Sequence, residues 1–225
     1  MAPVTASTVA RIGFWSGVAA CAATLAYDVA QILQMLGVLH FPLDEILIFG
    51  TSLCIIIPFV LEMLALHHST DDSGRFWTQA ALIFTTIYAV FGSANYVIQL
   101  TTVIPAKLRG TLAAFQVLEQ TPHSLLWDFD ALAYIAMGIA TVLVIPALGH
   151  SRVERWARWS CIGNAIATLL ACVVYFYPTF SSRVLLLGLP WAATAPLCMF
   201  LLAVTIRRRL VHPASAAADS SIRRQ

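Results

Sequence analysis

Two carboxylates lie inside strongly apolar stretches of the sequence, where an ionisable side chain is costly. Asp28 lies in the first stretch and Glu62 in the second. A charge at the centre of a spanning helix costs at least about 2.5 to 3.5 kcal/mol on insertion scales, and such residues commonly mark ligand or proton pathways. We therefore interpret both as candidate proton-coupling groups, and Asp28 also as the charged anchor of a ligand site. Alternatively, Glu62 would snorkel to water or pair with Arg75 or His67.

Further polar and aromatic side chains are predicted to lie at the depth of Asp28. They occur in separate apolar stretches, and within a stretch they are spaced three or four residues apart, which places them on one face of a helix. Their meeting in one layer predicts a pocket with aromatic walls. The predicted ligand-binding residues are Asp28, Gln31, Asn95, Gln99, Asp130, Tyr134 and Trp191.

The same side chains also have a structural interpretation. Amides and tyrosines often form hydrogen bonds between spanning helices, worth roughly 0.6 to 2 kcal/mol each, which would account for Asn95 and Gln99. Asp128 and Asp130 would then be solvated residues at the amino terminus of a helix, where a negative charge is favourable. The sequence alone leaves both interpretations open.

Six long apolar stretches must position these residues. The 225-residue chain is 60% hydrophobic and only 11% charged, with a mean hydropathy of +0.82, which excludes a water-soluble globule. About 20 apolar residues in a helix cross the hydrocarbon core of a bilayer. The sequence therefore predicts an all-α, polytopic six-helix transmembrane bundle, with spans at about 12–39, 46–66, 76–104, 122–148, 156–177 and 184–206.

The distribution of basic residues predicts the orientation of the bundle. Ten of the 13 Lys and Arg residues fall on one set of alternating connections and termini, while Lys107, Arg109 and Arg183 fall on the other. Cytoplasmic loops retain positive charge, so both termini are predicted to be cytoplasmic and the protein to reside in the cytoplasmic (inner) membrane. The length of the first apolar stretch favours a retained span over a cleaved signal peptide.

The connections are short except for one on the predicted outer side. Apolar residues at helical spacing predict an amphipathic segment over 107–120 that lies along the membrane surface. Thr121 followed by Pro122 predicts the N-cap and first residue of the fourth helix. We expect one transmembrane domain over 1–211 and a disordered cytoplasmic tail over 212–225.

Several specific chemistries are disfavoured by the residues present. A retinal Schiff base needs a lysine inside a helix, and the only lysine is Lys107 in the long connection. The pair His67 and His68 does not have the spacing of a metal-binding helix, and no metal site is predicted. No nucleotide-binding or hydrolase motif is present, so we predict no cofactor, and the net charge of +2 indicates no nucleic-acid partner.

The favoured function is therefore an integral membrane protein whose outward-facing polar and aromatic pocket binds a small amphiphilic molecule, for uptake or sensing. The first alternative is an intramembrane acid-base enzyme, an isomerase or cyclase, that acts on a lipid or isoprenoid. The second is a structural or assembly subunit with a partner membrane subunit. The predicted partners are thus the lipid bilayer, a small amphiphile or lipid, and under the second alternative another membrane protein.

Overall fold

Six long helices make up most of the computed structural model, which describes residues 5–211. All six are long and apolar enough to span a membrane, so the predicted all-α architecture with six apolar spans is confirmed. The tail predicted to be disordered, 212–225, lies outside the described residues. The helices are α1 Ala6–Met35, α2 Leu43–His68, α3 Asp72–Ile98, α4 Leu125–Val144, α5 Arg152–Phe176 and α6 Leu189–Val211.

The helices pack as a closed ring in chain order. Each of α1 to α5 contacts the next helix along the chain, and α6 closes the ring against α1. Short connections make consecutive helices antiparallel neighbours. At each end of the bundle, the termini of all six helices therefore surround a common interior.

The two ends of the bundle differ in sequence. The arginine end comprises the connections 69–71 and 148–151 with the start of α1 and the end of α6, and it includes Arg207, Arg208 and Arg209. The long-loop end comprises the connections 36–42, 99–124 and 177–188. Because α1 ends and α2 begins at the long-loop end, Asp28 lies near this end and Glu62 near the other.

Small residues on α1 allow its close approach to α2 and α6. A Cβ atom on Gly13 would lie 2.5 Å from the Cβ of Ala65 in α2, and one on Gly17 would lie 2.5 Å from the Cβ of Ala203 in α6. Glycines four residues apart let spanning helices pack backbone to backbone. The buried stripe of α1 includes Ala10, Gly13, Gly17, Ala20, Thr24 and Asp28.

Apolar side chains cover the outside of the bundle, whereas polar ones are buried within it. Ile57 and Phe76 are 70% exposed and Leu169 is 68% exposed, while Glu62 and Asn95 have no exposed surface. In a water-soluble protein such charged and amide side chains are mostly exposed and large apolar patches are rare. The arrangement is that of a multi-pass membrane protein.

The amphipathic segment predicted over 107–120 is divided into short helical turns in the structure. Gly110, with φ of 69°, ends the helical extension of α3, and the following residues form two 3₁₀ turns at Leu112–Ala114 and Gln116–Leu118. Before it, α3 continues through a π-helix at Gln99–Val103 and a short helix at Ile104–Leu108. The left-handed glycine reverses the chain, so the segment folds back over the bundle.

The fourth helix begins later than predicted, because Ser124 rather than Thr121 is its N-cap. The Ser124 Oγ accepts hydrogen bonds from the backbone N–H of Trp127 at 3.3 Å and from that of Thr121 at 3.1 Å. His123 has a φ of 65°, which is incompatible with a helix starting at Pro122. The helix therefore starts at Leu125.

One arginine joins several helices at the arginine end. Arg209 of α6 donates to the Glu154 Oε1 atom through Nη2 at 2.6 Å, to the Ala147 carbonyl at 2.8 Å and to the Thr70 hydroxyl at 3.2 Å. Glu154 also forms a capping box with Ser151 at the start of α5. Arg209 and Glu154 therefore join the start of α5 and the end of α6 to the connections after α2 and α4.

Candidate functional site

A cavity of about 330 Å³ opens at the long-loop end, in the layer where the sequence predicts polar side chains to meet. All six helices contribute to its wall, together with the connections after α3 and α5. Its volume is in the range of small-molecule sites. Of the predicted ligand-binding residues, those that line it are Asp28, Gln31, Asp130, Tyr134 and Trp191.

Asp28 provides a buried carboxylate with an oxygen that accepts no hydrogen bond from the described residues. The side chain is 7% exposed and lines the cavity. Its Oδ2 atom has no hydrogen-bond partner among residues 5–211. A buried polar atom without a partner costs about 1–3 kcal/mol, and more when it is charged. A ligand group that donates a hydrogen bond to Asp28 would therefore be favourable at this position.

Asp130, the second predicted carboxylate of the layer, has a full set of donors. The Tyr96 hydroxyl donates to its Oδ1 at 2.9 Å, and the Tyr175 hydroxyl donates to its Oδ2 at 2.5 Å. The amides of Gln120 and Asn95 donate at 3.1 and 3.4 Å. These bonds link α3, α4, α5 and the long connection, so Asp130 organises the floor of the cavity.

Asn95 and Gln99 bind the long connection instead of lining the cavity. The Asn95 Nδ2 donates to the Gln120 Oε1 at 2.7 Å, and the Gln99 Nε2 donates to the Leu118 carbonyl at 2.8 Å. The backbone N–H of Gln120 donates in turn to the Gln99 Oε1 at 3.3 Å. Through these bonds the Gln120 side chain is inserted between Asn95 and Asp130.

Gln31 belongs to a polar chain that crosses from α1 to α2. Its Nε2 donates to the Gln34 Oε1 at 3.1 Å, and the Gln34 Nε2 donates to the Asp44 Oδ2 at 2.9 Å. Gln31 and Gln34 both line the cavity. The chain fixes the orientation of both amides at the rim.

Tyr134 and Trp191 lie within a continuous series of aromatic rings. Their ring centroids are 4.9 Å apart, and Trp191 also contacts Tyr27 at 6.1 Å. On its other side Tyr134 contacts Tyr175 at 5.7 Å, and Tyr175 contacts Trp127 at 4.8 Å. All of these rings line the cavity.

Three ion-paired side chains, Lys107, Glu45 and Glu119, lie at another side of the cavity. The Lys107 Nζ lies 2.7 Å from the Glu45 Oε1 and 2.7 Å from the Glu119 Oε1. These bonds tie the extension of α3 to the start of α2 and to the long connection. Glu45 lines the cavity, and its second oxygen, Oε2, is buried without a partner among the described residues.

Glu62 is separate from this cavity and does not form either predicted pair. It is fully buried between α1, α2 and α6, next to Gly17 and Ala203, and both carboxylate oxygens lack a hydrogen-bond partner in the part of the chain that the structure describes. Arg75 pairs with Asp72 instead, and His67 bonds to Thr78. Because Glu62 has no exposed surface, its side chain does not reach water.

Sequence reasoning did not assign several residues that line the cavity. Tyr27 is next to Asp28 in the sequence, and Glu45 is next to Asp44. This proximity to acidic residues was a usable signal. Gln120 gave no such signal, because its insertion depends on the reversal of the chain at Gly110. Among residues 5–211 no three His, Cys, Asp or Glu side chains come together as a metal site.

Comparison of this chain with protein-family models, with curated proteins and with solved structures finds no match.

Proposed function

We propose that the cavity at the long-loop end binds a small amphiphilic molecule, for uptake or sensing. The observation that carries this proposal is the Asp28 carboxylate, which is buried in the cavity wall with one oxygen unpartnered among the described residues. Packing six helices together does not require a buried carboxylate. The free-energy cost of burying it is offset when a ligand donates a hydrogen bond to it.

The predicted site residues have two roles in this proposal: some contact the ligand, and others position neighbouring residues. Asp28 is the charged anchor and proton-coupling candidate, Gln31 orients polar groups, and Tyr134 and Trp191 stack on the apolar part of the ligand. The positioning residues are Asn95, Gln99 and Asp130, which hold Gln120 and the long connection in place. Glu62, at the other end of α2, is a second proton-coupling candidate.

The same proposal places the long-loop end outside the cell. Eight of the 13 Lys and Arg residues lie in the first or last two turns of helices at the arginine end, and retention of positive charge in the cytoplasm supports cytoplasmic termini. The cavity would then face outwards from the cytoplasmic membrane.

Native mass spectrometry of the protein purified from its own membrane tests the proposal. We expect a bound small molecule that the Asp28→Asn protein loses and the Asp128→Asn protein retains, because Asp128 is exposed and outside the cavity. Absence of any bound molecule in the wild-type protein would contradict the proposal and favour a structural subunit.

A second step distinguishes uptake from catalysis. The molecule identified is radiolabelled and presented to proteoliposomes and, separately, to the protein in detergent. A transported ligand crosses into the vesicles with unchanged mass, whereas the product of an isomerase or cyclase is recognised in detergent by a new retention time or mass. A ligand that binds without either change indicates a sensor.

A further inference from the structure

The Asp, Glu, Lys, Arg and His side chains that line the cavity are all acidic. Asp28, Glu45 and Asp130 line it, and no Lys, Arg or His does so within the described range 5–211. Lys107 compensates Glu45, but it is shared with Glu119. The four donors to Asp130 are neutral groups, so they stabilise its charge without cancelling it. Low-dielectric walls strengthen the resulting negative potential.

The walls of the cavity are also suited to a cation. The aromatic series runs without a break along one side, and its indole and phenol faces carry negative electrostatic potential. Consecutive ring centroids are no more than 6.1 Å apart, and four helices supply the rings. The members of the series are Tyr27, Trp191, Tyr134, Tyr175 and Trp127.

Three buried polar atoms of the cavity-lining residues lack partners, and a ligand reaches them only when neighbouring side chains shift, because none of the three is accessible from the cavity. The Asp28 Oδ2 and the Glu45 Oε2 have no donor among residues 5–211, and the Trp191 Nε1 has no acceptor there. The two carboxylate oxygens require N–H or O–H donors, whereas the indole requires one acceptor. Burial of such groups without partners is unfavourable, so a complementary ligand gains from both kinds of contact.

A metal ion does not meet these requirements. The described part of the chain holds no group of three His, Cys, Asp or Glu side chains close enough to ligate one, and the ring faces offer no lone-pair ligands. An organic ammonium ion does meet them, because it donates hydrogen bonds to carboxylates and is attracted to aromatic faces.

We propose that the ligand of this cavity is an organic amine, with its ammonium group at Asp28, an acceptor at Trp191 and an apolar body along the aromatic series. This assignment rests on the proposed function and names the chemical class of its ligand. It accounts for the acidic wall, the unbroken aromatic series and the unpartnered atoms of Asp28 and Trp191 together.

Three probes of nearly equal shape test the charge requirement: 2-phenylethylamine, 2-phenylethanol and phenylacetate. Binding to the full-length protein in nanodiscs is followed at neutral pH by tryptophan fluorescence and by the shift in melting temperature. We expect the amine to bind roughly tenfold more tightly than the alcohol, the gain typical of a charged hydrogen bond, and the carboxylate not to bind.

Variants locate the charge requirement at Asp28. Asp28→Asn is expected to reduce the affinity for the amine to that for the alcohol, while leaving the affinity for the alcohol nearly unchanged. Asp128→Asn, at an exposed position of α4, is the matched control and should behave as the wild-type protein. The comparison of the three probes on the wild-type protein needs no variant, so it stands even when Asp28→Asn fails to fold.

The outcomes separate this inference from the proposed function. Equal or tighter binding of the alcohol or the carboxylate overturns the amine assignment but leaves the cavity as a binding site. Binding of the amine that Asp28→Asn does not weaken also overturns the assignment. Failure of all three probes, with no bound molecule in native mass spectrometry, overturns both.

Discussion

At the residue scale, two buried aspartates of the same layer have opposite environments. Asp130 accepts from four side chains, whereas the Asp28 Oδ2 accepts from none among the described residues. Hydrogen bonds to a charged group are worth about 1.5–3 kcal/mol each, and an unpartnered buried one is a loss. The first arrangement stabilises the fold, and the second sacrifices stability at a position that faces the cavity.

This contrast predicts opposite effects of the same substitution on the ligand-free protein. Asp130→Asn should lower stability by about 2 kcal/mol, because an N–H₂ group then faces donors. Asp28→Asn should leave the melting temperature unchanged or raise it, because it removes a buried charge that lacks a partner. Thermal unfolding in detergent measures both, and a marked loss in Asp28→Asn would show that Asp28 has a structural partner.

At the element scale, the approach of α1 to α2 and α6 depends on glycine. A Cβ on Gly17 would lie 2.5 Å from that of Ala203 and would also meet the Glu62 carboxylate. Gly17→Ala should therefore destabilise the protein by about 1–3 kcal/mol through overpacking. Gly50→Ala is the control, since nothing lies within 4 Å of a Cβ there, and it should not lower the melting temperature. Equal melting temperatures for the two variants would contradict this account of the α1 interface.

Gln120 is inserted into the bundle and holds the long connection together with the Gln99–Leu118 bond and the Lys107–Glu119 ion pair. Gln120 bonds to Asn95 and Asp130, and its own backbone N–H bonds to Gln99. Gln120→Ala removes the side-chain bonds and should accelerate amide hydrogen exchange over 112–124, because the segment is then less firmly attached. Gln116→Ala, at an exposed position, is the control and should exchange as the wild-type protein does. Unchanged exchange in Gln120→Ala would show that other contacts hold the segment.

The elements differ in how far the sequence determines them. Helical spacing along α1 brings Gly13, Gly17 and Asp28 onto one buried stripe, so the depth and burial of Asp28 follow from local periodicity. The position of Gln120 does not, because it depends on left-handed backbone at Gly110 and His123 and on bonds to distant helices. The partners of the amides Asn95 and Gln99 lie in that segment, so helical spacing alone does not give them.

At the scale of the whole molecule, the ring of helices separates two chemically different ends. The arginine end is closed by the Arg209–Glu154 pair and its bonds to adjacent connections. The long-loop end holds the acidic, aromatic cavity. Because of this polarity along the bundle, the orientation in the membrane decides which compartment the cavity faces.

Accessibility of introduced cysteines tests that orientation. Thr111 and Arg208 are both exposed, at the long-loop end and the arginine end respectively. Because positive charge is retained in the cytoplasm, Thr111→Cys should react with a membrane-impermeant maleimide on intact cells, whereas Arg208→Cys should react only after permeabilisation. The five native cysteines lie within spanning helices, and the unsubstituted protein gives their background. Labelling of Arg208→Cys but not Thr111→Cys on intact cells would reverse the orientation and make the cavity face the cytoplasm.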